Sequence, residues 1–204
     1  MKNILLLASS SASRKQLLTD AAIPFVTVPQ DADESACDWG MSLQKVVEHI
    51  AIFKMAHVIM PTGADGQEKY VLTADTLTLN KSGEILGKPT SREQAIAHIK
   101  SIRAGVSTGT AFCLEKKLFH DNAWHTSEQI VRFVQAEYQF NVPDAWIERY
   151  FEASEIYQKS GAIAIEGFGA LFLKEVRGSY YTIVGLPLFE LRESLEKIGF
   201  FDQL

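Results

Sequence analysis

A chain of 204 residues, 47% hydrophobic and 22% charged, can bury a core of its own and has the balance of an ordinary globular protein. Its net charge of -5 and the lack of a long basic run argue against a charged face for nucleic acid. No stretch approaches the roughly 20 apolar residues of a membrane span.

The first apolar run, Ile4 to Ala8, imitates the h-region of a signal peptide but falls short of the roughly 7–15 residues one needs. It reads as a strand covered on both faces, in a chain expected to be cytoplasmic. Ser9, Ser10 and Ser11 follow, and serine ahead of the periodic stretch from Ser13 to Leu18 predicts a helix start. Pro24 to Val28 reads as a second strand, with the acidic stretch Asp31 to Glu34 in the loop behind it. Residues 42–59 carry Leu43, Val46, Val47, Ile50 and Phe53 at helical spacing, with Lys54 near the helix end. Pro61 to Lys69 reads as a loop. Tyr70 to Thr73 and Leu77 to Leu79 read as strand on either side of Ala74-Asp75-Thr76.

Lys81 to Glu84 suggests a hairpin turn into Ile85-Leu86, followed by Gly87-Lys88-Pro89. A capped helix is expected over Ser91 to Ile102, and strands of one sheet over Ser107 to Leu118 and Ile130 to Phe140. Pro143 to Ala153 predicts a helix, Gly169 to Val176 and Ser179 to Val184 predict strands, and Pro187 to Ile198 predicts a closing helix. With no repeat or linker, residues 1–204 are expected to form a single α/β domain. Its mixed, twisted sheet would be flanked by helices, with room for two lobes around a central cleft. Cys37 and Cys113 lie far apart without a C-x-x-C pair, and reduced thiols are the simpler expectation.

Several apparent motifs fail. Gly83 to Pro89 is one residue short of a Walker A loop and puts proline where Ser or Thr must reach magnesium. Gly167-Phe168-Gly169 lacks the third glycine of a dinucleotide fingerprint, and the five histidines show no metal-ligand spacing. Two features survive. A serine turn between strand and helix offers backbone N–H groups and the positive end of a helix dipole, and Arg14 adds a fork suited to phosphate oxygens. The alternative there is plain capping with a solvated arginine. Asp75, directly after an apolar strand, stands where α/β sheets place active groups and could bind a divalent cation or take a proton from water. The alternative is an aspartate serving its own turn. Glu34, Lys54 and Lys88, taken singly, read as solvated charges.

Together these residues resemble one family end to end. Leu7-Ala8-Ser9-Ser10-Ser11-Ala12-Ser13-Arg14 is similar to the L-A-S-x-S-P-R-R opening of Maf proteins. Asp33-Glu34 resembles their D-E step, and Phe53-Lys54-Met55-Ala56 their E-K-A helix segment. Ala74-Asp75-Thr76 with Gly87-Lys88-Pro89 resembles their A-D-T and G-K-P core. Ser160 to Gly167 is similar to A-G-A-Y-G-I-Q-G, and Gly178 to Tyr181 with Val184 to Leu188 matches closely.

The resemblance implies a Maf/ITPase-like fold and hydrolysis of a nucleoside triphosphate to the monophosphate and pyrophosphate, with Mg2+ or Mn2+. It implies that Ser9, Ser11, Arg14, Lys54 and Lys88 hold the triphosphate, that Glu34 and Asp75 hold the metal, and that Asp75 is general base with Thr76 beside it. It leaves a homodimer open, and also a second role, since the family was first linked to inhibition of septum formation: a non-catalytic nucleotide-binding regulator of cell division.

The departures from the pattern concern the phosphate turn and the base. Ala12 and Ser13 replace proline and the first arginine, and Gly105-Val106-Ser107-Thr108 lacks the histidine of G-x-x-H. Glu166 replaces the glutamine of members that prefer dTTP and UTP, and Ile165 to Gly169 resembles the S-E-G-F-G of members acting on 7-methyl-GTP. A carboxylate only accepts, which suits the N–H donors of a guanine edge. Those members carry tryptophan where Ser13 stands, which could stack on a base as serine cannot, so dTTP and UTP stay open while the balance leans slightly towards a modified purine, with Glu166 facing the base.

Overall fold

A computed structural model describes residues 3–34 and 37–202. It is an α/β fold with a mixed seven-stranded sheet flanked by helices. The elements are β1 (Leu5–Leu7), α1 (Ala12–Asp20), β2 (Phe25–Thr27), α2 (Leu43–Ala56), β3 (Glu68–Asn80), β4 (Ile85–Leu86), α3 (Arg92–Ser101), β5 (Val106–His120), β6 (Ala123–Phe140), α4 (Ile147–Ala153), β7 (Leu173–Arg177), α5 (Tyr180–Val184) and α6 (Leu188–Lys197). The strands are ordered β2-β1-β3-β5-β6-β7, with β4 paired to β3. β1 is parallel to β2 and to β3, whereas β3/β4 and β6/β7 are antiparallel.

The contacts divide the chain into two compact units, and β3, β5 and β6 contribute residues to both. The first comprises residues up to Asp75, Ala111–Phe133 and residues from Leu186 on, and so holds α1, α2 and α6. Its core includes the fully buried Leu5, Leu7, Leu18, Ile50, Leu72 and Phe200. Full burial of an aliphatic or aromatic side chain of this size contributes about 1.5–3 kcal/mol. β1 pairs with β2 and β3 along its edges, and all three of its residues are buried, so both faces are covered and the run is apolar throughout.

The second unit comprises Thr76–Thr110 and Val134–Gly185, with Leu86, Ile99, Ile102, Phe140 and Tyr150 fully buried. Two rows of hydroxyls cross it. Thr110 donates to the Thr182 carbonyl at 2.7 Å, so the Thr76 hydroxyl donates to Thr110 at 2.9 Å. Tyr138, Thr108 and Thr78 form the second row at 2.8 and 3.2 Å, ending on the Ser160 carbonyl. Burial, opposed by its bonds to these threonines, pushes the Tyr138 phenol far above its ordinary value.

Three expected elements differ. β3 does not break at Ala74-Asp75-Thr76 but runs through it, because both faces of that stretch are packed and the ladder continues regardless of local propensity. Ser179 to Val184 is not a strand. Tyr180–Val184 is helical, its Thr182, Ile183 and Val184 buried, and Gly185 at φ 127 closes it by donating to the Tyr181 carbonyl. Of Gly169 to Val176 only the residues from Leu173 on are strand. Gly167–Phe172 is a 3-10 helix, in which Gly169 lies so close to Ala164 that a Cβ would be 1.6 Å from its carbonyl oxygen. No helix among the described residues is long and apolar enough to cross a membrane.

Candidate active site

The first unit gathers six of the expected site residues. β1 ends at Leu7, level with Leu72 of its parallel neighbour β3, and the serine turn follows. Ser9 Oγ accepts from the Ser11 amide at 3.3 Å, and Ser11 caps α1 by accepting from the Arg14 amide at 3.4 Å. The first turn of α1 carries Arg14 inward, onto the face that buries Leu17 and Leu18. Arg14 is 8% exposed and its Nη1 donates to Ser9 Oγ at 3.2 Å. Burial pulls the guanidinium below its ordinary value, against the opposing pull of Asp75 and then Glu34. The solvated-arginine alternative is overturned.

Lys54 owes its place to the same periodicity that forms α2. Leu43, Val47, Ile50 and Lys54 recur at three- and four-residue spacing on one buried stripe. β3 meets that stripe with two side chains of one face, Thr73 and Asp75. Thr73 donates to the Ala51 carbonyl at 2.7 Å, and Lys54 Nζ donates to Asp75 Oδ1 at 2.7 Å. Lys54 also lies 2.9 Å from Glu34 Oε1, so one ammonium bridges two carboxylates. The Lys54 and Asp75 side chains are each 9% exposed and that of Glu34 is 42% exposed. The second oxygen of Asp75, Oδ2, is buried and has no hydrogen-bond partner among the described residues. A buried carboxylate oxygen without a donor costs on the order of 1–3 kcal/mol, which a ligand supplying a cation or a proton would offset.

Thr76, Lys88 and Glu166 belong to the second unit. Lys88 is exposed and forms no ion pair among the described residues. The turn that carries it is tied to the segment ahead of Glu166. Ser160 Oγ donates to the Leu86 carbonyl, and the Gly161 amide donates to the Gly87 carbonyl at 2.9 Å. Gly161 allows this approach at φ +64, where a Cβ would stand 3.3 Å from Thr78 Cγ2. Glu166 Oε2 accepts from Lys159 Nζ at 3.0 Å. Burial, and then the charge of Glu166, raises the neighbouring Tyr180 phenol.

Residues 4–198 match the model of the family described as Maf-like protein. The chain belongs to that family. A dTTP/UTP pyrophosphatase of Caldicellulosiruptor saccharolyticus is 34% identical over 203 residues, covering 98% of this chain and 96% of that protein. A dTTP/UTP pyrophosphatase of Ruminiclostridium cellulolyticum is 34% identical over 201 residues, covering 98% and 97%. One of Acholeplasma laidlawii is 34% identical over 203 residues, covering 98% and 100%. The solved structure of a HAM1 protein from Coxiella burnetii is similar at a TM-score of 0.46 and 13% identity, over 96% of this chain and 99% of that one.

Lys159, which donates to Glu166, is not among the residues expected from sequence. Its one signal was its place directly ahead of the Ser160-Gly161 motif. Cys37 was also missed as a neighbour of the cluster. It is a buried free thiol whose amide donates to the Glu34 carbonyl at 3.2 Å, and burial followed by the charge of Glu34 raises its pKa.

Proposed function

We propose that this protein is a nucleoside triphosphate pyrophosphatase that hydrolyses its substrate to the monophosphate and pyrophosphate. One observation carries the reading: a buried aspartate, bonded by Lys54 at one oxygen and without a partner at the other among the described residues, lies within electrostatic reach of a buried arginine bonded to the serine turn. Cleaving a phosphoanhydride requires charge neutralisation and alignment more than covalent chemistry, and this cluster consists of cations and carboxylates held in register.

The donor set fits a divalent ion. Among the described residues no group of three or more His, Cys, Asp or Glu could hold one outright. Glu34 and Asp75, whose Oδ2 has no hydrogen-bond partner among the described residues, would be the one or two carboxylates holding Mg2+ or Mn2+. When bound, such an ion neutralises phosphate charge and acidifies a coordinated water. Ser9, Ser11, Arg14, Lys54 and Lys88 hold the phosphates. Asp75 accepts a proton from the attacking water, with Thr76 next in the chain, and Glu166 faces the base. Residues 1–204 act as one domain, in the cytoplasm, removing modified or excess nucleotides.

The relatives' names make dTTP and UTP the first substrates to try, and 7-methyl-GTP the next. Those names do not favour the septum-formation regulator. The test is pyrophosphate release from a panel of canonical and methylated triphosphates with Mg2+ and with Mn2+. Metal-dependent release from at least one supports the proposal. Binding without turnover across the whole panel overturns it in favour of the regulator.

A further inference from the structure

β1 and β2 are parallel with Leu7 level with Thr27, so the chain leaves both strands at the same end of the sheet. Open α/β sheets gather their ligands at that carboxyl end. Between the two exits lies a cavity of about 370 Å3, lined by Ser9, Ser10 and Lys15 of α1 and, from the β2 side, by Thr27 to Gln30. Its walls are fixed by backbone bonds. The Val28 amide donates to the Leu7 carbonyl and the Ile59 amide to the Pro29 carbonyl, both at 3.0 Å. Among the described residues the lining offers donors and no carboxylate. Ser9 Oγ already accepts from the Ser11 amide and from Arg14 Nη1, which occupies both lone pairs and leaves its O–H to donate. Gln30 commits its Oε1 to the Ala32 amide at 2.8 Å, which leaves its Nε2 as a donor. Lys15 is half-buried and forms no ion pair among the described residues.

We infer that this cavity is a phosphate seat with Lys15 as its charge, and that it takes the distal phosphate of the substrate and then the departing pyrophosphate. This inference rests on the pyrophosphatase reading and deepens it. A terminal phosphate presents three acceptor oxygens and about two negative charges, which an ammonium, two serine hydroxyls and an amide N–H group can meet together. A base or sugar edge brings donors as well as acceptors and would turn some of them against this donor-only wall. A lone cation would find an ammonium and no carboxylate. Lys15 also differs in kind from Lys54. Lys54 is committed to Asp75 and Glu34, whose charges it and Arg14 offset. Lys15 lies outside that balance, so its charge is available to an anion. Ser9 joins the two places, since it lines the cavity and accepts from the buried arginine.

Inorganic pyrophosphate contains the distal phosphate and UMP does not, so the two products separate this seat from the rest of the site. Lys15→Met keeps the apolar stem and removes the ammonium. Calorimetric affinity for pyrophosphate with Mg2+ should fall roughly tenfold in that variant, while affinity for UMP (or the monophosphate of whichever triphosphate is turned over) changes less than about twofold. Lys15→Arg should restore most of the loss. In steady-state assays pyrophosphate should inhibit competitively against the triphosphate, and Lys15→Met should raise KM with little change in kcat. Lys15→Gln serves as a second neutral variant, and both are read only with an unchanged thermal melt, so that a folding defect is not taken for a lost contact. A protein that does not bind pyrophosphate, a pyrophosphate affinity indifferent to Lys15, or equal losses for pyrophosphate and the monophosphate overturns the inference. Non-competitive inhibition overturns it too, because free pyrophosphate would then occupy a place that the substrate does not use. Pyrophosphate binding that depends on Lys15 without turnover of any triphosphate upholds the seat and defeats the pyrophosphatase reading alone.

Discussion

Replacing Lys54 by methionine is the sharpest probe of the buried cluster. The substitution keeps the length of the side chain and its place on the apolar stripe of α2, and removes only the ammonium. Asp75 then loses the bond to Oδ1 while Oδ2 has no donor among the described residues, so neither oxygen of a 7% exposed aspartate keeps a donor among them. Removing one partner of a buried pair costs about 3–5 kcal/mol. The lower end applies here, because Arg14 remains nearby and Glu34, 42% exposed, can turn to water. A loss of about 3 kcal/mol corresponds to roughly 6–12 °C in Tm for a chain of this size. The assay is thermal and urea unfolding in EDTA, followed by circular dichroism. The companion double variant Lys54→Met/Asp75→Asn removes the stranded charge and should recover more than half of the loss. A Lys54→Met penalty below about 1 kcal/mol, or a double variant no more stable than the single one, would refute the claim that Lys54 is the counterion of a buried aspartate.

Asp75→Asn should abolish pyrophosphate release while leaving triphosphate affinity within about tenfold, since the amide retains the shape and loses the proton acceptor; normal turnover would remove Asp75 from its role. Arg14→Lys keeps the charge but loses the planar fork and the bond to Ser9, so KM for the triphosphate should rise roughly tenfold with a stability loss of about 1 kcal/mol; an unchanged KM in steady-state assays would argue against a phosphate contact. Burial pushes the Cys113 thiol up to about 12 in the folded chain, so the unfolded chain releases that proton first as pH rises. Stability from this group is complete below about pH 9 and is lost towards pH 12, at about 1.4 kcal/mol per pH unit. Urea melts at pH 8 and pH 10.5 should show a smaller alkaline loss for Cys113→Ala than for the native chain.

Much of the fold is legible in residue order because its strongest signals are local. The covered run of β1, the serine cap of α1 and the 3.6-residue period of α2 each follow from a few neighbouring side chains. Failures occur where long-range packing overrides propensity. Tyr180-Tyr181-Thr182-Ile183-Val184 has strand composition, yet Gly185 and Pro187 just beyond it are helix-stop signals, and the helix that forms buries its β-branched residues. Asp75 looks like a break in a strand, yet β3 carries it inside a ladder whose partners are remote in sequence.

The site shows the same division more sharply. Sequence order names Arg14, Glu34, Lys54 and Asp75, but what makes them a site is that they are one another's counterions. Arg14, Lys54 and Asp75 are 8%, 7% and 7% exposed, an exposure at which an isolated charge would neutralise or unfold the chain. Two cations against two carboxylates sum to no net charge, so the cluster can be buried before any ligand arrives. That balance explains why Arg14 and Lys54 read as ordinary solvated charges when taken singly: no one residue carries the reason for its burial. It also sets a condition on the ligand. A lone anion would be attracted by Arg14 and Lys54 but repelled by Asp75 and Glu34, and a lone cation would meet the reverse. A phosphate chain accompanied by a divalent ion would offer each half of the cluster an opposite charge, and the ion would offer Asp75 Oδ2 the partner that it lacks among the described residues.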